Sequence, residues 1–202
     1  DGRRIMMGWL RQEPSLERCW TGAQSLPRDV SLRSLGDGFQ LLQQPVQELE
    51  YLRRGRWSLK GAAISDAPTP LPGQGLANGT WELNLQAALG DASEFGLQLG
   101  TDSERRVTLR YRAEDGVLSL EGAGPKNLTV PWQTDTRDLA LRVFVDRSIV
   151  EVFAGAGEQV ISAVLAPDAV IQRAMLYSSG QPVELIVCDL WSLDSALLTT
   201  DW

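Results

Sequence analysis

The stretch Thr80-Trp81-Glu82-Leu83-Asn84-Leu85-Gln86-Ala87 alternates apolar and polar residues, and it decides the fold class of this chain. The same period of two returns at residues 107–112, 139–146 and 148–153. Successive side chains of a β-strand point to opposite faces, so these segments predict strands with one face in a core and the other facing solvent. Turn signals such as Asp115-Gly116 and Ser178-Ser179-Gly180 separate them. The pattern predicts an all-β antiparallel sandwich, with later strands at 159–165, 174–178, 183–188 and 191–193.

The first 60 residues have a different pattern. A nearly continuous apolar run at residues 5–10 is typical of a strand that is covered on both sides. Residues 30–35 and 39–44 flank Gly36-Asp37-Gly38, which predicts a β-hairpin. After Pro45, apolar residues recur at spacings of three over residues 46–52, which indicates a short amphipathic helix.

Composition and charge exclude several functions. The chain has 202 residues, with 19 Lys and Arg against 26 Asp and Glu and a net charge of −7. This acidic balance argues against binding to nucleic acid or to an anionic membrane surface. Because there is no histidine, neither a Ser-His-Asp triad nor a histidine-containing metal site can form. We therefore expect no metal and no cofactor.

Cys19 and Cys188 are too few for a zinc site or a disulfide framework. Two free buried thiols are the favoured interpretation, and a long-range bridge remains open.

No apolar run approaches the roughly 18 residues of a membrane-spanning helix, and no signal-peptide pattern is present. Secreted and cytoplasmic locations both stay open. Because the chain begins at Asp1 rather than Met, we expect a processed, trimmed or excised piece of a longer protein.

Four pieces of the sequence resemble the family-32 glycoside hydrolases, which are invertases, levanases, inulinases and related fructosyl enzymes. They occur in the family's order and span about three-quarters of the chain. The pieces are residues 2–10 (GRRIMMGWL), 20–32 (WTGAQSLPRDVSL), 43–53 (QQPVQELEYLR) and 141–153 (LRVFVDRSIVEVF).

The resemblance implies a fold of two parts. In this family a five-bladed β-propeller carries the active site and is joined by a short linker to a C-terminal β-sandwich. By that resemblance, residues 1–45 are a remnant of the final blade, residues 46–55 form the linker helix and residues 56–202 form the sandwich.

The resemblance also implies where catalytic carboxylates belong. Retaining glycosidases need two carboxyl groups about 5–5.5 Å apart. The family supplies them from Asn-Asp-Pro and Glu-Cys motifs and adds an Arg-Asp-Pro aspartate, none of which occurs here. Arg28-Asp29 is followed by Val30, and Cys19 is preceded by Arg18. We therefore assign no catalytic residue and predict that this chain alone is inactive.

Trp9 is the one candidate for substrate binding, because the family's Gly-Trp in this strand lies near the active-site funnel. The favoured alternative is packing with Ile5 and Met7.

For Asp146 and Glu151, solvated or ion-paired charges are favoured over a catalytic site. Other residues receive structural roles. Ser25 with Arg28 is assigned turn chemistry and an ion pair, and Arg105, Arg106, Arg110 and Arg112 are assigned to a charged outer sheet face. The remaining tryptophans are assigned to packing: Trp20, Trp57, Trp81, Trp132, Trp191 and Trp202.

Three hypotheses about function follow. The first is a non-catalytic region of a β-fructofuranosidase-type hydrolase, which stabilises the propeller or mediates assembly. Its apolar blade strands would be covered by a missing propeller chain or by a second copy. The second is a free-standing carbohydrate-binding module, and the third is one chain of an active two-chain fructosidase. Fructose-containing carbohydrate enters as a partner through the parent enzyme, whose choice among sucrose, levan and inulin the sequence leaves open.

Overall fold

The computed structural model describes residues 1–11, 21–101, 106–124, 126–134, 136–165 and 170–196. Five strands precede the sandwich. Strands β1, β4 and β5 form a three-stranded sheet in the order β1-β4-β5, and β2 pairs with β3. Leu35 lies opposite Gly38, which confirms the predicted hairpin. The bounds are β1 Ile5–Met6, β2 Trp9–Leu10, β3 Ala23–Gln24, β4 Arg28–Leu35 and β5 Gly38–Pro45.

The helix predicted after Pro45 is a 3₁₀ helix, Gln47–Leu52. Side chains three residues apart eclipse one another in a 3₁₀ helix. Val46, Leu49 and Leu52 therefore lie on one side, where they pack against the sandwich. The strand that follows, β6, begins at Arg53 and pairs with the last strand of the sandwich.

The sandwich consists of two antiparallel sheets, as the alternating pattern predicted. The six-stranded sheet has the order β13-β12-β11-β10-β17-β8, and the seven-stranded sheet has the order β16-β15-β14-β9-β18-β6, with β7 also paired to β18. The bounds are β6 Arg53–Leu59, β7 Ala62–Ile64, β8 Thr69–Pro70, β9 Thr80–Ala88, β10 Glu94–Thr101, β11 Arg106–Arg112, β12 Val117–Glu121, β13 Leu128–Pro131, β14 Asp138–Asp146, β15 Ile149–Ala154, β16 Gln159–Val164, β17 Ile171–Ser179 and β18 Val183–Leu193, with a four-residue α-helix at Gly73–Leu76.

Strand β18 differs from the sequence prediction, which divided it into two strands. It runs unbroken from Val183 to Leu193, between β9 on one side and β6 and β7 on the other. Its register against β9 shifts between Leu185 and Val187. The bulge lets the strand continue through this irregularity. Asp189 and Leu190, where the prediction left a gap, are paired with β6 on one side and β9 on the other.

The core lies between the two sheets, and the alternating residues fill it. Trp81, Leu83 and Leu85 of β9 are at most 2% exposed, and Leu97 and Leu99 of β10 face them from the other sheet. The packing role predicted for tryptophans is confirmed for Trp57, Trp81 and Trp132. Trp191 packs instead against an arginine on the outer face, and Trp20 and Trp202 lie outside the described residues.

Cys188 is a free thiol in this core. Burial raises the pKa of the thiol to about 12. The prediction of a free buried thiol is confirmed for Cys188, whereas Cys19 lies outside the described residues. Within the described ranges, neither helix is long and apolar enough to cross a membrane.

Leu99→Ala tests the position of the core. Because Leu99 is fully buried, the substitution should lower the free energy of unfolding by about 2–5 kcal/mol through lost burial and a cavity. Leu32→Ala is the matched control, since Leu32 is 67% exposed and should change stability by less than about 1 kcal/mol. Urea unfolding of both variants measures the difference, and equal effects would contradict this core.

Candidate functional site at the junction of the N-terminal strands and the sandwich

A buried ion pair joins the N-terminal strands to the sandwich. Glu151 lies in β15 between Val150 and Val152, which are both fully buried in the core. Strand alternation therefore directs Glu151 to the outer face of the sheet. The carboxylate is nevertheless buried, at 1% exposure, because the N-terminal strands cover that face. Nη2 of Arg28, the first residue of β4, donates to Glu151 Oε2 over 2.5 Å.

Further hydrogen bonds satisfy the carboxylate of this pair and both terminal nitrogens of the guanidinium, whereas Arg28 Nε is buried without a hydrogen-bond partner among the described residues. The Leu26 amide donates to Glu151 Oε1, and the Ser162 hydroxyl donates to Oε2 over 2.9 Å. Arg28 also donates to Ser162 Oγ over 2.6 Å and to Gln43 Oε1 over 2.9 Å. Buried charges are tolerated when their remaining hydrogen-bonding positions are filled in this way. The expectation of an ion-paired Glu151 is confirmed, and the solvated alternative is wrong because a second layer of chain covers it.

An apolar cluster surrounds the polar pair. Phe144 of β14 and Phe153 of β15 meet edge to face, with ring centroids 6.0 Å apart, and Val46 and Leu49 close over them. The Arg28 guanidinium lies 5.4 Å from the centre of the Phe153 ring. The 3₁₀ helix and β4 are therefore held on the sandwich by packing as well as by charge.

A close backbone contact fixes β5 in the same place. The Gln43 amide donates to the Gly157 carbonyl over 2.9 Å. Gly157 has φ +88°, and a Cβ at this position would lie 2.2 Å from the Gln43 carbonyl oxygen. Only glycine combines that left-handed conformation with such close approach. Sequence reasoning identified Gly155-Ala156-Gly157 as a turn but missed this contact, since nothing local identifies the chain lying against it.

An ion pair ties Arg3 to the 3₁₀ helix. Arg3 donates to both carboxylate oxygens of Glu48, over 3.0 and 2.5 Å. These hydrogen bonds lower the pKa of Glu48 to about 2 and raise the pKa of Arg3.

A second arginine network lies where the 3₁₀ helix passes into β6. Glu82 is fully buried and accepts hydrogen bonds from Arg53 and Arg142, the closest of each 2.7 Å long. The bond to Glu82 is the main cause that raises the pKa of Arg53. Arg53 also stacks on Trp191, 4.1 Å from the ring centre. A further buried carboxylate, Asp189, pairs with Arg56 over 2.7 Å.

The buried carboxylates of the described residues are therefore engaged. Glu82, Glu151 and Asp189 each bind an arginine. A glycosidase needs one carboxylate free to attack and one carboxylic acid able to donate a proton. Asp146 is exposed at the β14–β15 turn, as predicted. No group of three or more acidic or cysteine side chains within the described ranges is arranged to hold a metal ion.

The predicted charged sheet face is also present. Arg110 lies between Glu94 and Glu121, at 3.6 and 3.4 Å, and Arg112 pairs with Asp115 at 2.7 Å. Arg106 is exposed, and Arg105 lies outside the described residues. The Ser25 hydroxyl donates to the neighbouring Leu26 carbonyl over 3.1 Å and accepts a hydrogen bond over 2.8 Å from the Gly8 amide, 17 residues away.

The N-terminal strands expose apolar side chains. Trp9 is 67% exposed, so its predicted packing with Ile5 and Met7 is wrong in this chain, where those two residues are 48% and 51% exposed. The Trp9 indole lies against Gly22, where a Cβ would be 2.3 Å from Nε1. By strand register, Leu32, Phe39 and Leu41 lie on one face of the β1-β4-β5 sheet, and Ile5 and Leu35 lie on the other. We call the whole exposed set, which includes both faces, the N-terminal apolar surface: Ile5, Met7, Trp9, Leu32, Leu35, Phe39, Leu41 and Tyr51.

A cleft of about 680 Å³ opens beside the ion pair. Leu26 and Pro27 form one wall, and Leu49 and Leu52 of the 3₁₀ helix form a second. The β14–β15 hairpin and residues 193–196 complete it. We call this space the junction cleft.

The architecture is thus a two-sheet β-sandwich with strands of a separate small sheet clamped to its outer face. Residues 48–192 match the family model described as "Glycosyl hydrolases family 32 C terminal". The chain belongs to glycosyl hydrolase family 32 and contains that C-terminal domain.

Relatives agree with this assignment. The chain is 36% identical over 207 residues to sucrose-6-phosphate hydrolase from Escherichia coli, covering 96% of the chain and 40% of that protein. It is 29% identical over 219 residues to levanase from Bacillus sp. (strain L7), covering 96% of the chain and 23% of the levanase. The exo-inulinase structure from Aspergillus awamori has the same fold, with a TM-score of 0.76 at 22% identity over 96% of the chain and 41% of the inulinase. The chain thus spans well under half of these proteins.

Removal of one ion-pair partner tests the junction. Glu151→Ala leaves the Arg28 guanidinium buried without its carboxylate, so unfolding should become easier by about 3–5 kcal/mol. The matched control is Asp115→Ala, whose partner Arg112 is 47% exposed and whose loss should cost less than about 1 kcal/mol. A double variant, Arg28→Met with Glu151→Leu, should recover much of the loss. Urea unfolding decides, and equal effects of the two single variants would refute a special role for this pair.

Gly157→Ala tests the backbone contact. The added methyl group collides with Gln43, so β5 should separate from the sandwich while the two-sheet core persists. Hydrogen exchange of the β4 and β5 amides should accelerate, with little change in β9 and β10. Gly36→Ala, at the hairpin tip with open space around it, serves as the control. Unchanged exchange in β5 would contradict the contact.

Proposed function

We propose that this chain is the non-catalytic C-terminal region of a fructosidase-type glycoside hydrolase and that it holds the last strands of a catalytic β-propeller in place. The observation that carries the proposal is the junction. Strands β4 and β5 are fixed to the sandwich by Arg28, Glu151 and Gly157, yet these two strands expose Leu32, Leu35, Phe39 and Leu41 of the N-terminal apolar surface to solvent. A surface that is rigidly held and apolar is typical of a docking interface.

The strand edges support the same function. The β5 side of the small sheet is covered where Gln43 bonds to Gly157. On the opposite side, β1 pairs with β4 alone among the described residues. An edge strand with an unpaired row of backbone groups accepts a further strand. The partner we propose is therefore the remaining β-sheet of the propeller, supplied by the same polypeptide or by another chain.

The names of the relatives indicate the substrate class. They are a levanase, a sucrose-6-phosphate hydrolase, a raffinose invertase and an exo-inulinase. The complete protein would accordingly hydrolyse fructosyl bonds of sucrose or fructans. Catalytic carboxylates would come from the propeller, since the three buried carboxylates described here are bound to arginine.

Fructose release tests the absence of catalysis. The purified chain, checked to be a single species, should release no fructose from sucrose, inulin or levan. The full-length E. coli sucrose-6-phosphate hydrolase, with its own substrate, is the positive control for the assay. Release at enzymatic rates by this chain would overturn the proposal. Release that appears only with a second chain present would instead support a two-chain fructosidase.

A chimera tests the docking role. The region of the E. coli hydrolase that matches this chain, 40% of its length, would be replaced by this sequence. The chimera should hydrolyse sucrose 6-phosphate, and Phe39→Glu with Leu41→Glu should abolish that activity by placing charge in the docking interface. Leu128→Glu is the matched control, because Leu128 is an exposed leucine on β13 of the sandwich. Equal loss from both variants, or no loss from either, would count against a docking role of the N-terminal apolar surface.

Sugar binding by Trp9 is a second candidate function, and the exposure of its ring favours it. Aromatic faces with one side free are suited to stacking on the apolar side of a ligand ring. The indole is held against Gly22 and remains 67% exposed. A carbohydrate-binding module of this type would lose sugar binding with Trp9→Ala but keep it with Tyr51→Ala, whose side chain is also exposed.

A further inference from the structure

We infer that the junction cleft is a binding site for a neutral saccharide. The choice of saccharide as ligand class rests on the proposed function, whereas the site itself rests on its geometry and lining. Its volume of about 680 Å³ lies within the range of small-molecule sites, which often form between domains.

The cleft is preformed. Its walls come from the segment before β4, the 3₁₀ helix and the β14–β15 hairpin. These parts are held together by the Arg28–Glu151 pair and by the packing of Leu49 on Phe144 and Phe153. Because these contacts already hold the walls in place, few side chains have to be ordered when a ligand binds. The entropic cost of binding is therefore small.

The lining combines an apolar floor with hydrogen-bonding groups at the rim. Leu26, Leu49 and Phe144 supply the floor. Gln24 and Asn78 are exposed at the rim, and Thr80 lies half-buried beside them. Amide and hydroxyl groups both donate and accept hydrogen bonds, as the hydroxyl groups of a sugar require. The floor can receive the apolar C–H face of the same ring.

The charges favour a neutral ligand. No lysine or arginine side chain belongs to the described lining, so an anionic ligand finds no counter-charge there. Among the carboxylates, Glu151 is neutralised by Arg28, and Asp194 by Arg54 at 3.2 Å. Asp146, next to Arg147, remains exposed and can accept hydrogen bonds from sugar hydroxyl groups. This combination suits a polyhydroxy ligand better than a phosphate or an organic cation.

Calorimetric titration of the chain with sucrose, inulin and levan oligosaccharides tests the inference. One of these sugars should bind saturably, and Gln24→Ala or Asn78→Ala should each weaken binding about 3- to 10-fold, as loss of one hydrogen bond predicts. Gln86→Ala is the control, because Gln86 is an exposed glutamine of β9 that does not line the cleft.

Two results would overturn the inference. One is the absence of saturable binding for all three sugars. The other is binding that Trp9→Ala abolishes while Gln24→Ala and Asn78→Ala leave it intact, which would assign the sugar to Trp9 instead. Neither result affects the docking role, because the chimera measures that role independently through sucrose 6-phosphate hydrolysis.

Discussion

The salt bridge between Arg28 and Glu151 is the interaction on which the arrangement of this chain depends. It joins residues 123 positions apart and lies where the small N-terminal sheet meets the outer face of the sandwich. Such a buried pair adds little net stability over a well-packed apolar pair, but it has a strict geometric requirement. Glu151 Oε2 accepts two hydrogen bonds and Oε1 accepts one, all from fixed partners. Strand β4 therefore has one orientation in which the two charges meet. The pair therefore specifies position more than it contributes energy.

The sandwich provides the stability that this positioning needs. Its two sheets enclose a continuous apolar core from β9, β10, β11, β14 and their neighbours. The N-terminal strands have only a small cluster around Phe144 and Phe153. The described part of the small sheet exposes apolar side chains on both faces and encloses no core of its own, whereas a small sheet needs a packed hydrophobic face to be stable. Packing on the sandwich through this cluster and the Arg28–Glu151 pair holds β4 and β5 in place while other apolar side chains of these strands stay exposed. The proposed docking role starts from this arrangement.

Arginine side chains recur where the 3₁₀ helix passes into the sandwich. Arg53, Arg56 and Arg142 neutralise Glu82 and Asp189 on the outer face of the seven-stranded sheet, and Trp191 lies among them. The planar guanidinium group can bind a carboxylate and stack on a ring at the same time, which lysine cannot do. The 3₁₀ helix and the start of β6 thus carry an ion pair at each end, from Arg3 to Glu48 and from Arg53 to Glu82. The first pair is exposed, so the buried Arg53–Glu82 pair and the packing of Leu49 hold this segment on the sandwich.

The sequence by itself determined the sandwich, the hairpin of residues 30–44 and the helix after Pro45, because alternation, turn residues and apolar spacing are local properties. Four local pieces also carried the resemblance to the family-32 glycoside hydrolases. Tertiary structure decided the rest. Strand alternation placed Glu151 on the outer face, but only the fold shows that β4 covers that face and brings Arg28 to it. The local sequence predicts that Gly157 is a turn residue, and only the fold shows that Gln43 lies against it. Trp9 resembles a core residue by its apolar neighbours, yet it is exposed, since burial depends on what packs over a strand and no local pattern records that.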